Sequence, residues 1–265
     1  FLVNSYAWIH EAQHTNGGFG AGTHALQDIM DPHSVSTDLA TSALVGMAFI
    51  RTGNTLTSGQ YHKQVQGVHL YLLNEIEKSA QKNTAKEGKP VPDGYGRGLG
   101  SDYASSTQPQ QKLGQNVDAT FASQFLSRIL EFTDKGSELE TRTQKALEVC
   151  IQSIQEKQSN DGSMSGGTWA GVIQSSMANS ALEVADGQGV KVDKSKLKKS
   201  RKYQRDNVDV STGNVSGGDN AGISLYTYSS TNRATAANTR NARMAIEDAK
   251  EQGLLDDDAE VTVQN

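Results

Sequence analysis

Cysteine, proline and long apolar runs are all scarce in this chain of 265 residues. The single cysteine, Cys150, excludes an intrachain disulfide and a zinc site built from several thiolates. Apolar runs are short and interrupted, so no segment is predicted to span a membrane. A formal net charge of −5 gives no electrostatic basis for binding nucleic acid. The chain begins with Phe1, which leaves open both a cytoplasmic location and export after removal of a signal peptide.

What the chain does contain is glycine, with 26 residues that separate segments of helical periodicity. Amphipathic segments alternate with segments that are apolar almost all round, which is typical of outer helices that cover inner ones. We predict one all-α domain over 1–253, an irregular and mobile insertion at 82–117, and an acidic tail at 254–265. The predicted inner helices are 38–52, 118–133, 171–186 and 221–230, with a last helix at about 232–253.

One turn pattern occurs twice with the same spacing. It reads QHTNGGF from Gln13 to Phe19 and QSNDGSM from Gln158 to Met164, and each copy precedes an inner helix. This repeat resembles that of protein prenyltransferase β subunits and squalene–hopene-type cyclases. The resemblance implies an α/α toroid, and about four helix pairs would make either a toroid or an open arc of one.

The catalytic motifs of the resembled families do not accompany the repeat. A prenyltransferase-like zinc site would need Asp, Cys and His together, but Cys150 lies mid-helix without such neighbours at ligand spacing. The Asp-x-Asp-Asp motif of class II cyclases is missing from the loops and inner helices, and LDDDAE belongs to the acidic tail. A thioester motif is also missing. We therefore predict no metal and no cofactor.

Three aspartates, Asp38, Asp118 and Asp219, lie at or just before predicted inner helices. In a toroid these helix starts converge on one mouth of the central cavity, where carboxylates could act as general acid and base. The alternative is that each side chain caps its helix by accepting backbone N–H groups. Capping is the more frequent role for an aspartate at such a position.

Aromatic and histidine side chains near the turns are candidates for binding a ligand. Phe19, His33, Trp169 and Tyr226 could line a cavity and stack on a sugar or an isoprenoid. The alternative is that the aromatic rings fill a small core beneath the glycine-rich loops.

The N-terminal segment FLVNSYAWIHEAQ does not have the polar character of a capping helix. We therefore expect Phe1, Leu2, Tyr6 and Trp8 to contact an upstream segment, a second copy of the chain or another protein. Together these features favour a non-catalytic scaffold that binds a ligand or partner, or builds an assembly. The alternative is an enzyme that acts on an isoprenoid or a polysaccharide through carboxylates at the cavity mouth.

Overall fold

The computed structural model describes most of the chain, and within that part every regular element is a helix. The all-α class predicted from the sequence is confirmed at this level, whereas closure into a toroid stays a prediction. The described backbone covers 2–22, 28–87, 107–114, 116–164, 171–207, 209, 211–212 and 224–256, without the side chains of 2–4, 81–87 and several residues between 224 and 238.

Contacts divide the chain into two compact units, Phe1–Lys157 and Gln158–Asn265, where the sequence predicted one domain. The first unit contains α1 (Leu2–Glu11), a 3-10 turn (Pro32–Ser34), α2 (Leu39–Arg51), α3 (His62–Glu87), α4 (Gln108–Leu113), α5 (Val117–Ile129) with a 3-10 turn after it (Leu130–Phe132), and α6 (Glu138–Glu156). The second contains α7 (Gly171–Gly187), α8 (Lys194–Asp206) and α9 (Ser224–Glu251).

Helices α2 and α5 form the buried centre of the first unit. They pack against each other, while α3 packs on α2, and α6 packs on α5 and contacts α3. Nearly all of α5 is buried, as expected for a helix without a charged face, whereas α3 and α6 each keep an exposed polar face. The largest buried side chains of these helices include Phe49, Leu72, Phe125, Leu147 and Ile151.

Gly46 allows α2 to approach its neighbours closely. A Cβ atom at this position would lie 2.5 Å from Cε2 of Phe125 on α5 and 2.8 Å from a methyl carbon of Val68 on α3. The phenyl ring of Phe125 is fully buried, so it has little room to move aside. The absence of a side chain at Gly46 therefore sets the spacing between α2 and α5.

A buried ion pair holds the second unit together. Glu183 on α7 is fully buried, and its two carboxylate oxygens accept hydrogen bonds from Nε and Nη2 of Arg201 on α8, at 2.6 and 2.7 Å. Asn241 on α9 donates a further bond of 2.8 Å to the same carboxylate. Because a charge is tolerated in a core only when it is paired, Glu183 fixes α8 and α9 on α7.

The two copies of the turn pattern, here called the QxxxG turns (residues 13–19 and 158–164), share one set of hydrogen bonds. In the first copy, Nε2 of Gln13 donates to Gly17 O at 2.8 Å and to Gln64 O of α3 at 3.0 Å. In the second, Nε2 of Gln158 donates to Gly162 O at 3.2 Å and to Lys196 O of α8 at 3.1 Å. The glutamine thus closes its own turn and ties it to a later helix, α3 in the first copy and α8 in the second.

Each QxxxG turn is also attached to the helix that follows it. The N–H of Phe19 donates to Ser42 Oγ on α2 at 2.9 Å, and the N–H of Met164 donates to Ser175 Oγ on α7, also at 2.9 Å. These bonds match at every step, so the sequence repeat corresponds to a repeat in three dimensions.

The connections between helices differ in length according to their direction. We call α1, α3 and α6 outer helices, and α2 and α5 inner helices. Long segments lead from an outer helix to the next inner one, at 12–38 and 88–116. Short segments lead from an inner helix, with its 3-10 turn where present, to the next outer one, at 52–61 and 133–137.

Two predicted boundaries differ from the structure. Helix α9 runs without a break where two helices were predicted, because the Ser, Thr and Asn residues near 231 contain no glycine or proline to interrupt it. The predicted irregular insertion at 82–117 contains the end of α3, all of α4 and the first residue of α5. Its central part, 88–106, lies outside the described residues. Among the described helices, none combines the length and apolarity that crossing a bilayer requires.

Candidate functional site

Asp38 occupies the N-cap of α2. Its Oδ1 accepts the N–H of Thr41 at 2.8 Å, and the residue is fully buried. Its own N–H donates to Phe19 O at 2.9 Å, so the QxxxG turn holds the start of α2 in place. The capping role considered for Asp38 in the sequence is therefore present in the structure.

Asp118 is also fully buried but does not cap its own helix. The N-cap of α5 is Asn116, and Asp118 lies in the first turn. Its Oδ1 instead accepts the N–H of Ala40, in the first turn of α2, at 3.1 Å. One carboxyl group thus joins the N-terminal ends of both inner helices.

Gln110 completes this cluster, although it was not predicted from the sequence. Its Nε2 donates to Asp118 Oδ1 at 2.7 Å and lies 3.3 Å from Asp38 Oδ1. The signals in the sequence were the start and stop of α4: Thr107 and Pro109 at its beginning and Gly114 after its end. These three residues, Asp38, Asp118 and Gln110, are called the acid–amide cluster below.

Burial dominates the electrostatics of the acid–amide cluster. It raises the pKa of Asp118 to about 8, an effect that the hydrogen bond from Gln110 opposes and the nearby charge of Asp38 increases. Burial also raises the pKa of Asp38, against the lowering effect of the hydrogen bond from the Thr41 N–H. Two carboxyl groups this close cannot both carry a charge without a large cost in free energy.

Of the other predicted ligand-binding and catalytic residues, the structure describes the side chains of Phe19 and His33. Phe19 is buried in the QxxxG turn, and His33 is exposed on the 3-10 turn, where its ring lies 5.2 Å from that of His14. Nε2 of His33 is 2.9 Å from Glu11 O. Asp219 and Trp169 lie outside the described residues. Tyr226 lies on α9, but its side chain is outside the description.

A second feature lies on the surface of α1. Trp8 is 60% exposed and lines a groove of about 390 Å³. The remaining lining residues are Ala7, His10, Glu11, Gln60 and Tyr61. This set is called the α1 groove; it combines two aromatic rings with three polar side chains.

The other residues of the predicted partner interface differ in their surroundings. Tyr6 packs within its own unit, with its ring centroid 5.8 Å from Phe49 and 5.9 Å from Tyr61, and its hydroxyl donates to Ala48 O at 3.3 Å. Leu2 belongs to α1 without a described side chain, and Phe1 lies outside the described residues. Among the described side chains of this set, Trp8 is therefore the one that presents a large ring to solvent.

Cys150 is buried on α6, and burial raises the pKa of its thiol. Within the described ranges, no three His, Cys, Asp or Glu side chains are grouped to hold a metal ion. The absence of a metal site in the whole chain stays a prediction.

Comparison with known proteins gives no relative from which a role could be transferred. No family model, curated protein or solved structure matches the chain. The resemblance to prenyltransferases and cyclases therefore rests on the repeat alone, and function has to be argued from the acid–amide cluster and the α1 groove.

Proposed function

We propose that this chain is a non-catalytic helical scaffold that binds a ligand or a partner protein in the α1 groove. The observation that carries the proposal is the 60% exposure of Trp8 in a groove whose other aromatic ring, Tyr61, is anchored by the core. A tryptophan that is both exposed and set in a groove is a common anchor of binding surfaces.

The state of the acid–amide cluster supports the same proposal. Asp38 and Asp118 are fully buried, and their hydrogen bonds join α2, α4 and α5 to one another. These interactions stabilise the fold. The carboxyl groups thus have a structural role that requires no substrate.

Trp8 fluorescence tests the proposal directly. In a Trp169→Phe background Trp8 is the only tryptophan, so its emission reports on the groove. When soluble oligosaccharides or amphipathic peptides are added, we expect the Trp8 emission to shift to shorter wavelength and to become less sensitive to a soluble quencher. Gln60→Ala should weaken the response, and Gln66→Ala, outside the groove, should not. Unchanged emission with every probe would count against the groove as a binding site.

An enzyme remains the second candidate, and one observation favours it. Asp38 and Asp118, predicted from sequence as cavity-mouth acids, share Gln110, and the pKa of Asp118 is raised to about 8. A carboxylic acid that stays protonated at neutral pH can act as a general acid. Turnover of isoprenoid diphosphates or polysaccharides that is lost in Asp118→Asn, with folding intact, would favour this candidate over the scaffold.

A further inference from the structure

Three buried side-chain oxygen atoms of the acid–amide cluster lack a hydrogen-bond partner among the described residues: Oδ2 of Asp38, Oδ2 of Asp118 and Oε1 of Gln110. Asp118 is fully buried and Gln110 is only 2% exposed. A buried acceptor without a donor destabilises the folded state. Asp118 and Gln110 are hydrogen-bonded to each other, so their two unsatisfied oxygen atoms call for a common explanation.

The known hydrogen bond between the two groups supplies that explanation. Nε2 of Gln110 donates to Oδ1 of Asp118 at 2.7 Å. In a planar pair of a carboxyl group and a primary amide, this bond leaves the second carboxyl oxygen facing the amide oxygen. Both remaining atoms are acceptors, so only a proton can join them.

We propose that Asp118 is a neutral carboxylic acid whose proton sits on Oδ2 and is donated to Oε1 of Gln110. The pair then forms two hydrogen bonds in a ring, and Oδ1 still accepts the N–H of Ala40. With this one proton, both oxygen atoms of the Asp118 side chain and the amide oxygen of Gln110 have a hydrogen-bond partner.

The surrounding charges agree with a neutral Asp118. Helix α2 contributes Asp38, whose Oδ1 is 3.3 Å from Nε2 of Gln110 and whose charge disfavours a second carboxylate. Helix α4 contributes Gln110, which does not titrate. Helix α6 contributes the buried thiol of Cys150, and the half-buried Lys157 follows its last residue. The positive charge of Lys157 favours the charged form of Asp118, but less strongly than burial opposes it.

The proton has a structural consequence. Gln110 belongs to α4, while Asp118 and Ala40 belong to the first turns of α5 and α2. A neutral Asp118 therefore bonds α4 to both inner helices. Loss of the proton would place two charged carboxylates side by side and remove one of the two bonds to Gln110.

Infrared difference spectroscopy on the full chain tests the assignment. At pH 6 we expect a C=O stretching band of a protonated carboxyl group that shifts in D2O and disappears in Asp118→Asn. Asp193→Asn, which changes an exposed aspartate at the N-cap of α8, should leave the band unchanged. A spectrum without this band, or a band that survives in Asp118→Asn, would overturn the proposal.

Two further measurements keep the proposal testable if Asp118→Asn folds poorly. Gln110→Met should shift the carboxyl band by removing its acceptor, and an unshifted band would exclude Gln110 as the partner. As the pH rises from 5 to 8, the folding equilibrium constant of the wild type should fall about tenfold per pH unit relative to that of Asp118→Asn. The reason is that the folded protein keeps a proton that the unfolded chain has lost. A ratio independent of pH would contradict a protonated Asp118.

Discussion

Two glycines share nearly the same φ angle but differ in the space around them. Comparing alanine substitutions at the two positions separates the cost of a strained backbone from the cost of a steric clash. Gly17 has φ of +87° and Gly53 has φ of +85°. A Cβ at Gly53 would meet no atom within 4 Å, whereas one at Gly17 would lie 2.3 Å from the carbonyl oxygen of Gly67.

We expect Gly53→Ala to lower the free energy of unfolding by about 1–2 kcal/mol through the left-handed backbone alone. Gly17→Ala should cost roughly 1–3 kcal/mol more, because the QxxxG turn would be pushed away from α3. Urea denaturation of both variants measures the difference. Equal losses would mean that the turn can move aside without cost.

The candidate site was only partly predictable at this scale. Asp38 and Asp118 were identified because an aspartate before an apolar helix is a recognisable pattern. Gln110 was not, because glutamine in the polar stretch QPQQK is common on surfaces, and its burial depends on where α4 packs. Nothing local to a sequence of six residues specifies that position.

At the scale of helices, the contact of α2 with α5 depends on Gly46. We expect Gly46→Ala to destabilise the protein by roughly 1–3 kcal/mol through overpacking against Phe125, although alanine is the better helix former by about 1 kcal/mol. Phe125→Leu alone should also destabilise. In a double-mutant cycle, measured by chemical denaturation, the two changes should compensate in part, and strictly additive effects would contradict the close approach.

His69 links α3 to α6 and makes stability depend on pH. Its Nε2 is 2.8 Å from Oγ1 of Thr143, which itself donates to Leu139 O, so the imidazole is the donor. Burial, with a smaller effect from the charge of Arg142, lowers the pKa of His69 to about 4 from 6.5. The folded protein therefore holds His69 neutral, and the resulting stability is present above pH 6.5 and lost as the pH falls towards 4.

We expect His69→Gln, which keeps a donor to Thr143 without a titrating group, to remove this loss. Relative to that variant, the folding equilibrium constant of the wild type should fall about tenfold for each unit by which the pH is lowered from 6 to 4.5. Thermal and urea unfolding over this range measure it. His62→Gln, a partly exposed position at the start of α3, serves as the control. Parallel pH profiles for wild type and His69→Gln would contradict a buried neutral imidazole.

Helix positions were predicted more closely than helix limits. The segment 171–186 corresponds to α7, because its small and apolar residues and the glycines around it leave few alternatives. The break placed near 231 was wrong, since Ser, Thr and Asn weaken a helix without ending it. Glutamine and lysine made 108–113 look irregular, although Pro109 and Gly114 define a short helix there.

For the whole molecule, the exposed ring of Trp8 predicts self-association that depends on salt. The net charge of −5 opposes contact between copies, and added salt screens that repulsion. We expect the molar mass from light scattering to rise above 28.4 kDa with protein concentration, more strongly at high salt. Trp8→Ser should remain monomeric, while Leu70→Ser, which changes another exposed apolar residue, should behave as the wild type. A wild type that stays monomeric under all these conditions would exclude a second copy as the partner.

The unequal connections between inner and outer helices have a consequence for how such a chain can change over time. The connections that lead from an outer to an inner helix are long, and the return connections are short. The short connections hold consecutive helices in place, so added residues there would disturb the packing of α2 on α3. We therefore expect new sequence, whether acquired by evolution or introduced by an engineer as a tag or a whole domain, to be tolerated better in the long connections than at 52–61 or 133–137.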